Sequence, residues 1–128
     1  MVETNNVASI FADARTLYQE AIEQLAQRKI RNAAEKAWGA TRRATDALVL
    51  ARTGQEPRTS GQTNRGLHRL ARADERVQPL MGPYAIRQTY LHGQCFYDGN
   101  CEPEDGMEAL IRETADYIRV AQELAGVV

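Results

Sequence analysis

The sequence predicts an all-α fold, an antiparallel up-down bundle of four to five helices, on three observations. Apolar residues recur at spacings of three and four through most of the chain, which marks one face of an amphipathic helix. No stretch shows the convincing period-two alternation of a half-buried strand. Turn-forming segments separate the periodic stretches, and most are short enough to force neighbouring helices to run antiparallel. With 128 residues, the chain (1–128) is expected to form a single domain.

The first two helices are the most regular. The first is predicted over about 6–27, where apolar residues repeat along one face, and Asn5 or Asn6 is expected to cap its start. The second is predicted over about 30–52. Its inward face is rich in alanine, which lets a neighbouring helix approach closely, and Trp38 supplies bulk where the alanines do not.

Turn residues delimit the remaining helices. Residues 53–64 are interpreted as a loop because they contain Pro and two Gly, and the loop is long enough to cross the bundle end or to form a functional lip. A third helix is predicted over about 64–77, and Pro and Gly residues follow it. A fourth is predicted over 83–97 and a last one over 103–124, separated by an Asp-Gly-Asn turn.

Composition and charge exclude several classes of protein. Hydrophobic residues are 43% and charged residues 26%, so the chain does not have the composition of a disordered protein. No apolar run approaches the roughly twenty residues of a transmembrane helix, nor does a secretory segment appear. We therefore expect a cytoplasmic protein that does not enter a membrane.

The net charge of -1 conceals two blocks of opposite sign. Residues 28–76 carry twelve basic and five acidic residues, whereas 97–128 carry two basic and eight acidic residues. One interpretation is that the blocks pair inside a bundle or dimer. The other is that the basic block binds an anionic ligand, since arginine, its main cation, suits phosphate and carboxylate.

The motifs of common cofactor sites are missing. The sequence has no Walker-type phosphate loop, no Rossmann glycine pattern after a strand and no HExxH motif, so neither a cofactor nor a metal is expected. Cys95 and Cys101 are the only cysteines. In a reducing compartment they are expected as free thiols. A disulfide across the turn is one alternative, and metal ligation together with His92 is another.

Four arginines of the third helix are candidates for binding RNA phosphate. Arg65, Arg69, Arg72 and Arg76 recur at three- and four-residue spacing and so share one face. Such a face suits RNA, because backbone contacts dominate nucleic-acid affinity. The alternative is pairing with Asp74, Glu75 or the acidic last helix. Tyr97, in an aromatic cluster of the fourth helix, is either a core residue or a base-stacking one.

Arg87 and His92 are the candidate catalytic residues. They are separated by four residues in the stretch RQTYLH. In a metal-independent mechanism, the imidazole would act as general base toward a ribose 2′-hydroxyl, and the guanidinium would stabilise the charge on the phosphorane. The structural alternative is a helix-end histidine satisfied by its surroundings and an arginine in a salt bridge.

Two stretches resemble a known superfamily. AAEKAWGATRRATDALVLARTGQEP at 33–57 and LHGQCFYDG at 91–99 are similar to the HEPN-like superfamily, and within it to the PaREP1-like branch. The resemblance implies a helical bundle, commonly a homodimer, that binds RNA or nucleotide. Many HEPN members are metal-independent ribonucleases, often toxins paired with a nucleotidyltransferase-like antitoxin, and Arg87 and His92 fit their signature spacing. The alternative is a non-catalytic dimeric module that binds a nucleotidyltransferase-like partner protein.

Overall fold

The computed structural model describes residues 2–126, with side chains from residue 6 onward. Within that range the secondary structure is helical and no strand occurs, so the predicted all-α fold is confirmed. The elements are α1 (Val2–Ala26), α2 (Ile30–Thr53), α3 (Ser60–Ala73), a 3₁₀ turn (Gln78–Leu80), α4 (Met81–Ile86), a π-helical segment (Arg87–Tyr97) that continues α4, α5 (Glu104–Arg112) and α6 (Thr114–Ala125). Over residues 2–126 there is no helix both long enough and apolar enough to span a membrane.

The central element is α2, which packs against α1, the π-helical segment, α3 and α6. Its neighbour α1 runs antiparallel to it, because Lys36 pairs with Glu20 whereas Arg43, further along α2, pairs with the earlier Asp13. The small side chains of the α2 alanines make this close packing possible. Gly39 also faces α1, where an added Cβ would lie in ordinary van der Waals contact with Leu17. The fully buried alanines of α2 are Ala33, Ala34, Ala37, Ala40, Ala44 and Ala47.

The C-terminal half of the chain completes the up-down arrangement. The ring of Tyr84 meets Trp38 edge-on in the middle of α2, and Phe96 lies near the start of α2. The helix formed by α4 and the π-helical segment is therefore antiparallel to α2. Helix α6 runs parallel to α2, since Tyr117 contacts Thr45 and the carbonyl of Leu124 accepts a hydrogen bond from Arg52.

Helices α1 and α3 both begin earlier than predicted. Because α1 starts at Val2, the expected cap at Asn5 or Asn6 is wrong. Helix α3 starts at Ser60 rather than 64, because Thr59 caps it by accepting a hydrogen bond from the backbone N–H of Gln62. The Gln62 side chain in turn accepts from the backbone N–H of Arg58. This arrangement resembles a capping box, which overrides the loop-like composition of the first turn.

The predicted last helix is divided into two. Helix α5 ends at Arg112 and α6 begins at Thr114, with Glu113 between them. The carbonyl of Leu110, in the last turn of α5, accepts hydrogen bonds from the Arg87 guanidinium and from the Thr114 hydroxyl. Side chains that bind such a carbonyl compete with the backbone N–H groups for it. This competition interrupts the helix.

The expectation of free thiols is wrong. Cys95 and Cys101 form a disulfide, with their Cα atoms 4.2 Å apart. The intervening turn brings them together, because Gly99 adopts the left-handed region with a φ of +74°, which lets the chain reverse after Tyr97. The prediction of free thiols rested on the expected reducing compartment, and the sequence alone does not reveal how close the turn brings the two cysteines.

The basic and acidic blocks do not pair with each other within the described residues. The basic block pairs with acids of α1 and with its own acids, as in the contacts of Arg43 with Asp13 and of Arg52 with Asp74. Within the acidic block, Arg112 and Arg119 pair with acids of their own helices. Helix α6 packs on α2 and α1 rather than on α3. Charge pairing between the blocks inside one protomer, one of the two predicted interpretations, is therefore not observed.

Candidate functional site

A basic groove lies between the end of α2, the loop after it and α3. Its open volume is about 680 Å³. Arg58, Arg65 and Arg69 line it, and all three are exposed. Arg72 follows one turn further along α3. None of these four arginines makes an ion pair within the described residues. The groove thus presents guanidinium groups that are available to an anion.

The groove owes its position to the close contact of α3 with α2. Gly66 faces Val49, and a Cβ at Gly66 would lie 3.0 Å from both methyl groups of that valine. Such a contact is tighter than ordinary van der Waals packing, so a side chain at this position would require Val49 to shift by a few tenths of an ångström. The buried Thr63 adds a polar contact by donating to the Asp46 carboxylate at 2.6 Å. These two contacts fix α3, and therefore the direction in which its arginines point.

Asp46 is the buried charge beneath this region. Its side chain is 2% exposed and accepts hydrogen bonds from Thr63 and Arg43. Burial raises the pKa of Asp46 above its usual range, and the hydrogen bond from Thr63 and the charges of Arg43 and Arg42 oppose that rise. The group therefore holds Arg43 and α3 together and is not presented to a ligand.

Arg76 differs from the other arginines of the predicted stripe. Its guanidinium binds the carboxylate of Asp74, which also accepts from Arg52. The hydrogen bonds from Arg76 hold the pKa of Asp74 well below its usual range. The predicted alternative, pairing with Asp74, thus holds for Arg76. It does not hold for Arg65, Arg69 or Arg72.

Arg87 lies inside the bundle. Its side chain is 4% exposed, and its guanidinium donates to the Thr114 hydroxyl and to the carbonyls of Pro83 and Leu110. It also lies over the ring of Tyr117, 5.8 Å from the centroid. Burial lowers the pKa of Arg87. All these contacts tie α4 to α5 and α6, so within this protomer the guanidinium is engaged with the core.

His92 lies on the side of the π-helical segment that faces α2. Its Nδ1 atom is 2.8 Å from Oε1 of Glu35, and 39% of its side chain is exposed. The imidazole packs against Trp38, with ring centroids 5.9 Å apart, and stacks on Phe96 at 6.4 Å. The structure therefore gives His92 a carboxylate partner that spacing along the sequence could not identify. The structure does not bring the side chain of Arg87 into this cluster.

Apart from the buried Arg87, the predicted site residues occupy two separate regions. Tyr97 is 75% exposed and lies beside His92, near the start of α2. The basic groove lies near the end of α2. Two residues of α2 mark the two regions: Glu35 contacts His92, and Val49 contacts α3. At 1.5 Å per residue, Glu35 and Val49 are about 21 Å apart along the axis of α2. The aromatic residue and the arginines are therefore not parts of one compact pocket.

Comparison with known proteins identifies a family. The model of the archaeal PaREP1/PaREP8 family matches residues 10–115, which include α2, α3 and the helix that carries Arg87 and His92. No curated protein and no solved structure was found to match the chain. The family match covers well over half of the sequence. The chain therefore belongs to the archaeal PaREP1/PaREP8 family.

Proposed function

We propose that this protein is a HEPN-like domain that binds single-stranded RNA through the basic groove. The observation that carries the proposal is the set of exposed arginines in and beside the groove, Arg58, Arg65, Arg69 and Arg72, which have no carboxylate partner within the described residues. A guanidinium offers a planar fork that matches phosphate geometry. Three of the four recur on one face of α3, which suits successive phosphates of a flexible strand.

The test is binding of a fluorescently labelled single-stranded RNA, followed by anisotropy in EDTA at several salt concentrations. The variant Arg65→Gln/Arg69→Gln/Arg72→Gln removes the arginines of α3. The control Arg15→Gln/Arg112→Gln/Arg119→Gln makes the same change in net charge on other exposed surfaces. We expect wild-type affinity to fall with salt, and the α3 variant to bind weakly with a salt slope shallower by about 2, since each contact with a single strand contributes about 0.7.

Two outcomes would overturn RNA binding at the groove. One is equal loss of affinity in the α3 variant and in the control, because that would mean a general effect of charge. The other is tighter binding of polyglutamate than of RNA, because it would identify an acidic protein rather than a nucleic acid as the ligand.

A second candidate function is metal-independent RNA cleavage at His92. The observation that favours it is the hydrogen bond between His92 Nδ1 and Glu35, which leaves Nε2 as the nitrogen able to accept a proton. The catalytic role of Arg87 stays a prediction, and it requires the guanidinium to leave its bonds with the core. Incubation of the RNA in EDTA with wild type and with His92→Ala tests this function. We expect cleavage by wild type only, with equal RNA affinity in both proteins.

A further inference from the structure

The first turns of α2 and the end of the π-helical segment form a cluster that contains more than the predicted histidine. Arg31, Glu35 and Trp38 recur at steps of four and three and so share one face of α2. Opposite them lie His92 and Phe96. Both surfaces contribute polar and aromatic groups.

The contact with Glu35 determines which nitrogen of His92 carries the proton. A carboxylate has no proton to donate, so the 2.8 Å contact with Nδ1 requires that Nδ1 carry the hydrogen. In the neutral ring, Nε2 is then the lone-pair nitrogen, and it makes no hydrogen bond with any described residue. Trp38 and Phe96 pack against the ring and limit its rotation. The ring is therefore held in one tautomer and one orientation.

Arg31 holds the other end of the cluster. Its guanidinium donates to the carbonyls of Phe96 and Tyr97, at 2.6 and 3.3 Å, and lies over the Phe96 ring. Its Nη1 group makes no hydrogen bond with the described residues. This cation, unlike Arg87, lies on the same side of the bundle as the imidazole. It both fixes the end of the helix and leaves donors for an anionic group.

We infer that Glu35 is the positioning residue of His92 and fixes it as a proton acceptor at Nε2, with Arg31 as the nearby cation. The inference rests on the proposed cleavage function. In that reaction, Nε2 takes the proton of the ribose 2′-hydroxyl, the 2′-oxygen bonds to phosphorus, and the bond from phosphorus to the 5′-oxygen breaks. The 5′-oxygen takes a proton from water, and the hydroxide that remains takes the proton from Nε2, which gives a 2′,3′-cyclic phosphate, a 5′-hydroxyl and the neutral imidazole. The Glu35 carboxylate stabilises the imidazolium that forms.

The first test is independent of activity. Long-range proton–nitrogen NMR spectra of ¹⁵N-labelled protein, recorded where the imidazoles are neutral, report the tautomer of each histidine. We expect His92 to carry its proton on Nδ1 in the wild type and on Nε2, the ordinary tautomer of an exposed imidazole, in Glu35→Ala. His68, exposed on α3, provides the internal reference in both proteins. An unchanged His92 tautomer in Glu35→Ala overturns the inference.

The second test is kinetic. We expect Glu35→Ala to lower the kcat of RNA cleavage by at least about tenfold with KM unchanged, because the misoriented ring affects proton transfer and not binding. Glu35→Gln should be intermediate, since its amide oxygen still accepts from Nδ1. Glu108→Ala, an exposed glutamate of α5, is the matched control. If kcat is unchanged in Glu35→Ala, the positioning role is wrong. If wild type cleaves no RNA, the cleavage function fails, and the tautomer spectra alone decide the role of Glu35.

Discussion

Arg87 is a buried cation whose hydrogen bonds connect three parts of the chain. Its partners are the Thr114 hydroxyl and the carbonyls of Pro83 and Leu110. Replacement by methionine removes these three buried hydrogen bonds, and a hydrogen bond that involves a charged group contributes about 1.5–3 kcal/mol. We expect Arg87→Met to lower the free energy of urea-induced unfolding by about 2–4 kcal/mol. Arg112→Met, at an exposed site, should change it by less than about 0.5 kcal/mol, and equal effects at the two positions would contradict this role.

Asp46 and Asp74 should make opposite contributions to the pH dependence of stability. Burial raises the pKa of Asp46, so its contribution is largest at low pH and declines as pH rises from about 4 through the folded-state pKa. The hydrogen bonds from Arg76 lower the pKa of Asp74, so its contribution is present above about 4 and is lost as pH falls. Urea unfolding from pH 2.5 to 7 tests both signs.

The variants Asp46→Asn and Asp74→Asn separate the two contributions. As pH rises, the stability of wild type relative to Asp46→Asn should fall, whereas its stability relative to Asp74→Asn should rise. If the two differences have the same slope, one of the two assignments is wrong.

At the scale of elements, the contact of Gly66 with Val49 sets the position of α3. We expect Gly66→Ala to destabilise the protein by about 1–3 kcal/mol, because the added methyl meets both methyl groups of Val49 in a packed interface. The double variant Val49→Ala/Gly66→Ala should recover part of that loss. Gly82→Ala is the control, since its Cβ meets nothing within 4 Å. Additive effects in the double-mutant cycle would argue against the contact.

The three- and four-residue spacing of apolar residues predicted the helices well, because the side chains at this spacing form the buried face of each helix. The all-α class, the buried face of α2 and the position of Trp38 could all be predicted in this way. The start of α3 was missed because the capping residues Thr59 and Gln62 lie in a stretch with loop composition. The break after Arg112 could not be predicted, because it depends on a contact from a distant helix.

The candidate site could be predicted only in part, for a related reason. The arginines of α3 were found because residues on one helix face recur at fixed spacing. The partner of His92 was missed because Glu35 is 57 positions away in the sequence. Likewise, the spacing between Arg87 and His92 gives no information on which of the two side chains faces the core.

At the scale of the whole molecule, the homodimer implied by the HEPN resemblance stays a prediction, as does a nucleotidyltransferase-like partner. Tyr90, which is 45% exposed, lines an apolar groove of about 330 Å³ together with Met107 and Leu110, and the equally exposed Ile86 lies four residues before it on the same helix. An exposed apolar surface of this kind is typical of an interface. We expect Ile86→Glu/Tyr90→Glu to convert a dimer into a monomer in sedimentation velocity experiments.

The matched control for that experiment is Ala12→Glu/Thr16→Glu. It adds the same two charges at exposed positions of α1. It should leave the sedimentation coefficient unchanged. A monomeric wild type at all concentrations would exclude the homodimer, and equal dissociation of both variants would show that charge alone separates the subunits.

The disulfide has a practical consequence for anyone who purifies the protein. Cys95 lies three residues after His92, and the Cys95–Cys101 bond closes the turn next to Tyr97. Buffers with dithiothreitol would therefore reduce the disulfide and release the turn beside the imidazole, so the protein being assayed would differ from the oxidised one. Oxidised and reduced samples are best treated as two different reagents, and the redox state belongs with salt and pH among the conditions reported for each experiment.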